Sequence, residues 1–303
     1  MADGHVVVQA DEVCSLIEQP EESIKFFKTA EAAYADGNGV TYNLENTVEI
    51  TETFTAFLIS QIKDRNINQG RLSKVTFPEN AECSKKLKKL GIFKKVGSSS
   101  EEVELDSIPV QKLSNLQVAN DIAKELVKTS AFILYGEEKR IKELYAILIE
   151  IMANTNNHAA ADKKAKYPWW LFTFYDEDRD VIKFFFLDHG IGIFESLPVK
   201  QFMIRNPQPI FSNVGTANTY RRGLQLSEIF SNLTAGKIKS STGKPMRGRG
   251  LPLVASLAKT DNFNQFVIIS NDAYIDVIAE EVSTMNEFFS GTLFYFELKR
   301  ATS

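Results

Sequence analysis

The chain is poor in the residues that announce chemistry on their own. It holds only 2 cysteines and 3 histidines in 303 residues. Cys14 and Cys83 lie far apart with no metal-ligand spacing, which removes a thiolate metal site and fits two reduced thiols. Excess positive charge is also lacking: the formal net charge is -4, which gives no general reason to expect nucleic acid or an acidic membrane as partner. No apolar run approaches the length of a membrane span. The opening "MADGHVVVQADEV" lacks the basic-then-apolar layout of a signal peptide, so a cytoplasmic protein is expected, with His5 in a short N-terminal tail. What is present is ordinary for a globular protein: 44% hydrophobic and 24% charged residues, enough for two domains with cores.

The clearest break is "KKVGSSSEEVELDSIPVQ", which combines a Gly-Ser run, acidic residues and a proline. It reads as a linker over 98–111 between domains at 1–97 and 112–303, or as a hairpin followed by a connector. Before it, "PEESIKFFKTAEAAYADG", "TFTAFLISQIKDRN" and "AECSKKLKKLGIFKKV" have helical spacing, while "GVTYNLEN" and "GRLSKVTFPEN" read as strands. This predicts a small α/β unit on one sheet. After the break come two helices, two strands ("WWLFTFYDED" and "DVIKFFFLDHG"), and a less patterned stretch over about 194–249. A helix "GLPLVASLAKT" and strands "FNQFVIIS", "AYIDVIA" and "GTLFYFELKR" complete the chain. That order predicts an α/β sandwich with a mixed sheet.

Three stretches carry candidate chemistry. In "ELYAILIEIMANTNNHA", Glu150, Asn154 and His158 recur every four residues along one helix edge, beside a core stripe of Ile141, Leu144, Leu148 and Ile151. Taken alone, the row reads as a solvated polar edge. A carboxylate and a carboxamide one turn apart can also take a proton from water and offer a hard oxygen to Mg²⁺. In "FFFLDHGIGIF" a strand ends at Asp188, with Gly190 and Gly192 allowing close approach; a tight turn with a solvated Asp fits equally. In "KPMRGRGLPLV", Gly248 and Gly250 precede a helix start, and Lys237, Lys239, Lys244, Arg247 and Arg249 cluster before it. Such a helix N-terminus with five cations suits a polyphosphate, though a basic exposed loop is common.

The order of these boxes is more specific than any one of them. Glu-x₃-Asn-x₃-His-Ala on a helix, Asp-x-Gly-x-Gly after a strand, Gly-x-Gly-Leu opening a helix and Gly291-Thr292 opening a final strand together resemble the GHKL ATPase family over about residues 112–300. That family includes type II topoisomerase ATPase domains, heat-shock chaperones of the ninety-kilodalton class, mismatch-repair ATPases and histidine kinases, with anti-sigma serine kinases as relatives. The resemblance implies an α/β sandwich with helices on one face of its sheet and a mobile ATP lid between the glycine boxes. It implies that Asn154 coordinates Mg²⁺, Asp188 accepts from the adenine amine with Thr292 supporting through water, and Gly190 and Gly192 admit the base. Lys244, Gly248, Arg249, Gly250 and Leu251 would hold the phosphates, and Glu150 stands where hydrolysing members keep their general base. His158 would complete the helix end structurally; His189 fills a variable position.

The first domain resembles STAS domains, the fold of anti-anti-sigma factors, in layout over about residues 20–97. The family's Asp-Ser-Gly turn before the helix is replaced by "EITETF", which puts Glu52 near the phosphorylated serine's place and favours docking over phospho-switching. The leading expectation is a cytoplasmic Mg-ATP-dependent switch read by a protein partner, with a homodimer among the assemblies the resemblance allows. A serine/threonine kinase of the anti-sigma type is the second reading, and a non-catalytic interaction module with a degenerate pocket the third. The sequence argues against histidine autophosphorylation in cis, because none of the 3 histidines lies in a dimerisation helix, and it leaves open an acceptor on another protein.

Overall fold

The computed structural model describes residues 5–89, 111–113, 118–158, 169–196, 216–236 and 250–301. The chain divides into two compact units, Met1–Pro109 and Val110–Ser303, each of mixed α/β composition. Most of the expected linker, 98–110, lies outside the described residues. Its last residue, Gln111, belongs instead to the second unit, where it pairs with Leu171.

In the first unit, β1 (His5–Gln9), β3 (Gly39–Asn43) and β5 (Ser73–Thr76) form a parallel sheet in the order β1-β3-β5. Parallel neighbours need crossovers, and α1 (Pro20–Ala35) and α2 (Glu52–Lys63) supply them. Proline at the start suits α1, since its missing N–H would have no helical partner there; Gly37 at φ +85 follows its end. Thr51 caps α2 by accepting from the Phe54 N–H. Phe27 meets Phe57 edge-on at 4.4 Å and Phe54 at 4.9 Å, so an aromatic cluster joins the two helices. The unit ends with α3 (Arg65–Asn68) and α4 (Ala81–Lys89).

Two expectations for this unit are corrected. His5 is not in a tail: it opens β1, whose "HVVVQ" run is held in the sheet by parallel pairing with β3. A second ladder also exists, with β2 (Val13–Cys14) running parallel to β4 (Glu49–Ile50), so the strands are not on one sheet. Both cysteines are buried and free, and burial pushes the Cys14 thiol up to about 12.

The second unit is built on a five-stranded sheet ordered β6-β7-β8-β10-β9. The strands are β6 (Gln111–Leu113), β7 (Trp169–Asp176), β8 (Val181–Asp188), β9 (Phe263–Asp276) and β10 (Glu281–Lys299). Every described pairing in it is antiparallel, which corrects the expected mixed sheet. β7–β8 and β9–β10 are hairpins, and antiparallel pairing needs no helical crossover. The two strands read over "FNQFVIIS" and "AYIDVIA" are one strand, β9, and Gly291-Thr292 lies inside β10 rather than at its start. Phe184, Phe296 and Phe266 stack across three strands, at 4.9 and 5.1 Å with near-parallel rings. Such cross-strand aromatic pairs add about 0.5–1.5 kcal/mol each beyond their burial.

Among the described residues the unit has four helices, α5 (Asn120–Tyr135), α6 (Lys142–His158), α7 (Thr216–Thr234) and α8 (Gly250–Ala258). Helix α6 packs on α5 and α8, and α7 packs on α8 and β10. Within the stretch read as less patterned, 194–249, helix α7 supplies a pattern over 216–234. Leu226, Ile229, Phe230 and Leu233 are buried along it at helical spacing, a stripe that polar neighbours such as Glu228 and Asn232 obscure. Both faces of the sheet are buried: Phe184, Phe186 and Phe296 on one, Phe172, Phe185 and Leu187 on the other. Among the described residues no helix is long and apolar enough to cross a membrane.

Candidate functional site

One transverse row of the sheet carries polar groups at the end of β8. Trp169, Asp188, Thr292 and Ser270 are register partners across β7, β8, β10 and β9, so their side chains share a face. Asp188, only 4% exposed, accepts the Gly190 N–H on Oδ1 at 2.9 Å and the Thr155 hydroxyl on Oδ2 at 3.1 Å. The Thr292 backbone N–H is a third donor. An ionised carboxylate offers about four acceptor directions, so these three donors leave one unfilled. Burial outweighs the three donors and raises the Asp188 carboxyl from 3.8 to about 6.

Glycine makes this row possible at two positions. At Gly291, with φ +125, a methyl group would lie 2.0 Å from the Asp188 carbonyl oxygen, so β10 can pass this close only without a side chain. At Gly192, with φ +83, a methyl group would lie 2.5 Å from Asn271 Nδ2. The close neighbour at Gly192 is therefore the Asn271 carboxamide. That side chain accepts the Phe194 and Glu195 N–H groups at 3.0 and 3.2 Å and donates to the Ile191 carbonyl at 2.9 Å. Ser270 adds a second tie, accepting the Ile193 N–H at 2.8 Å. The turn after β8 is thus fastened to β9.

The second cluster lies where α6 meets α8. A methyl group at Gly250 would sit 2.6 Å from Glu150 Oε2 and 3.2 Å from Asn154 Oδ1, so both α6 side chains reach the first residue of α8. The first N–H groups of α8 have no partner within the helix. Glu150 is half-buried, and desolvation raises its carboxyl above the ordinary value. Leu251, half-buried, is the next residue of α8.

The described residues singled out from sequence therefore fall into two groups: Asp188, Gly190, Gly192 and Thr292 around the end of β8, and Glu150, Asn154, Gly250 and Leu251 at the helix junction. Helix α6 serves both, since Thr155 follows Asn154 directly and faces the sheet. Lys244, Gly248 and Arg249, with Lys237, Lys239 and Arg247, lie outside the described residues, and His158 is placed only as the last residue of α6. Sequence reading missed Thr155, Trp169, Ser270 and Asn271. Thr155 had a signal, being a polar residue in step with the apolar positions Leu148 and Ile151. Asn271 had one too, interrupting an apolar strand, a common mark of an irregularity. The chain matches no family model and no curated protein.

Proposed function

We propose that the second unit binds Mg-ATP and hydrolyses it in the manner of GHKL ATPases, and that the chain is a cytoplasmic, nucleotide-dependent switch read by a protein partner. The first unit would be a STAS-like docking module. One observation carries the reading: a single helix, α6, supplies Thr155 to the buried carboxylate Asp188 while Glu150 and Asn154 reach the N-terminus of α8. A base amine needs an unfilled carboxylate direction, and Asp188 has one. Phosphates need free N–H groups, and the start of α8 has them beside a carboxamide oxygen and a carboxylate.

These residues fit a nucleotide with its metal. The hard oxygen of Asn154 and the Glu150 carboxylate lie directly against Gly250, so close that no side chain fits there. Bound there through Asn154, Mg²⁺ would offset phosphate charge. Asp188 orients the base through its amine, and the N–H groups of Gly250 and Leu251 face the phosphates. Glu150 takes the proton of a water attacking the terminal phosphorus as the bond to the bridging oxygen breaks. Its partial burial raises its basicity, which suits that role.

For the first unit, support comes from its parallel β-α-β-α-β layout and from the α2 start. There Glu52 pairs with Lys86 at 2.9 Å, and the Thr51 and Thr53 hydroxyls bond each other at 2.9 Å. With Thr53 5% exposed, the α2 start suits docking rather than phosphate acceptance. The test is incubation of the full chain with γ-labelled ATP, alone and with proteins that co-purify with it. Labelled free phosphate is expected. Label on a partner protein instead would replace hydrolysis by kinase chemistry, and no ATP binding would overturn the reading.

A further inference from the structure

We propose that the Trp169 indole N–H is a second reader of the base, donating to the ring nitrogen that flanks the amine taken by Asp188. This rests on the nucleotide reading above. Trp169 is fully buried and its Nε1 has no hydrogen-bond partner. Its Cα lies directly opposite that of Asp188, and its ring stacks on Phe186, two residues earlier on the same strand and face, with centroids 5.5 Å apart. Register and packing therefore hold the indole in the same row as the carboxylate, without a bond between them.

The other polar members of the row are accounted for. Asp188 has its three donors, Ser270 donates to the Gly291 carbonyl at 2.8 Å, and Thr292 lies 3.4 Å from Ser270 Oγ. The row leaves two groups unused, the open acceptor direction of Asp188 and the indole N–H, which can donate but never accept. A buried donor without an acceptor is costly, and this one reaches no partner in the row.

Carboxylate and indole N–H side by side ask for a donor next to an acceptor. An exocyclic amine flanked by an unprotonated ring nitrogen is that pair, and adenine presents it on both sides of its amine. Guanine and hypoxanthine carry a carbonyl oxygen at that place. It would face the carboxylate acceptor-to-acceptor on either side, and on the N1 side their protonated ring nitrogen would also face the indole donor-to-donor. The row would thus select 6-aminopurines over 6-oxopurines through the carboxylate, and through the indole as well where N1 is the nitrogen read.

The experiment uses the full chain and calorimetry with ADP, 1-deaza-ADP and 7-deaza-ADP, on wild type and Trp169→Phe, which keeps an aromatic ring and removes the N–H. Wild type is expected to bind ADP and to lose about tenfold with one of the two deaza analogues. Trp169→Phe should bind ADP about tenfold more weakly and no longer distinguish that analogue from ADP. Equal wild-type affinity for all three ligands overturns the proposal, as does discrimination that survives in the variant. Should Trp169→Phe fail to fold, the indole ¹H–¹⁵N resonance of the wild type decides. It should move downfield with ADP and less with the discriminated analogue; no movement overturns the proposal. Absence of any ADP binding would overturn both this inference and the nucleotide reading, whereas binding without Trp169 dependence removes this inference alone.

Discussion

Lowering the pH from 7 to 5 should weaken nucleotide binding through Asp188. Its carboxyl is raised to about 6 because burial penalises the charge more than Gly190, Thr155 and Thr292 stabilise it. Only the ionised form leaves an acceptor direction open for the base amine. With a group titrating near 6, nearly all of the protein is competent at pH 7 and roughly one-tenth at pH 5, so apparent affinity should fall about tenfold. Binding at pH 6 should also release about half a proton per site, since the amine favours the ionised form. Calorimetry with ADP in buffers of different ionisation heat measures both quantities, and Asp188→Asn, which cannot titrate, subtracts the ligand's own phosphate titration. Stability runs the opposite way in the free protein. A carboxyl with a raised folded-state value holds its proton more tightly folded than unfolded, so the cost of its charge is present above about 6 and relieved as pH falls toward 4. The rise from 3.8 to about 6 corresponds to about 3 kcal/mol. Asp188→Asn should therefore flatten the fall in stability between pH 4 and 6 seen in urea melts. Wild type and Asp188→Asn with the same pH profile of ADP affinity would refute the reasoning.

The remaining predictions concern the helix junction and the far end of the sheet. Gly250→Ala places a methyl group 2.6 Å from Glu150 Oε2, the end of a flexible side chain, so the protein should fold while the carboxylate is displaced. Phosphate release should drop about a hundredfold with little change in the thermal midpoint; a normal rate would detach Glu150 from the chemistry. Glu150→Gln should keep ADP affinity near wild type and lower turnover by about 10²–10⁴, whereas Asn154→Ala should weaken Mg-ATP binding itself. Steady-state rates set against equilibrium affinities separate the two roles. At the other end of β10, Glu297 is 1% exposed and accepts both Arg179 nitrogens at 2.7 Å, Asn264 Nδ2 at 2.9 Å and the Tyr295 hydroxyl at 2.7 Å. Arg179→Ala strands that buried carboxylate and should destabilise by about 2 kcal/mol, less than a fully buried pair because the guanidinium is half exposed. Denaturant midpoints check this.

Periodicity made the elements with strong apolar stripes legible. "FFFLD" and "WWLFTFYD" are strands and "ELYAILIEIMAN" is a helix because nothing in them competes with that pattern. The parts that escaped depend on contacts distant in sequence. The direction of strand pairing follows from which strands become neighbours, and no local pattern in β9 or β10 states it. Helix α7 was hidden because its stripe begins after a polar, arginine-containing first half. In the site, Glu150, Asn154, Asp188 and Thr292 could be named because their spacing fits known boxes. Trp169 and Ser270 could not, because they meet Asp188 and Thr292 only once the register of the strands is set.

Gly192 and Asn271 share one volume: the carboxamide fills the space that any side chain at Gly192 would need, and the left-handed backbone there disfavours such a side chain in any case. Neither position can drift alone without cost. Enlarging the first evicts the second, and shrinking the second frees the Ile191, Phe194 and Glu195 backbone groups at once. Across descendants of this sequence, the two sites should be inherited as a pair, replaced together or not at all, even where the surrounding strand and turn diverge freely.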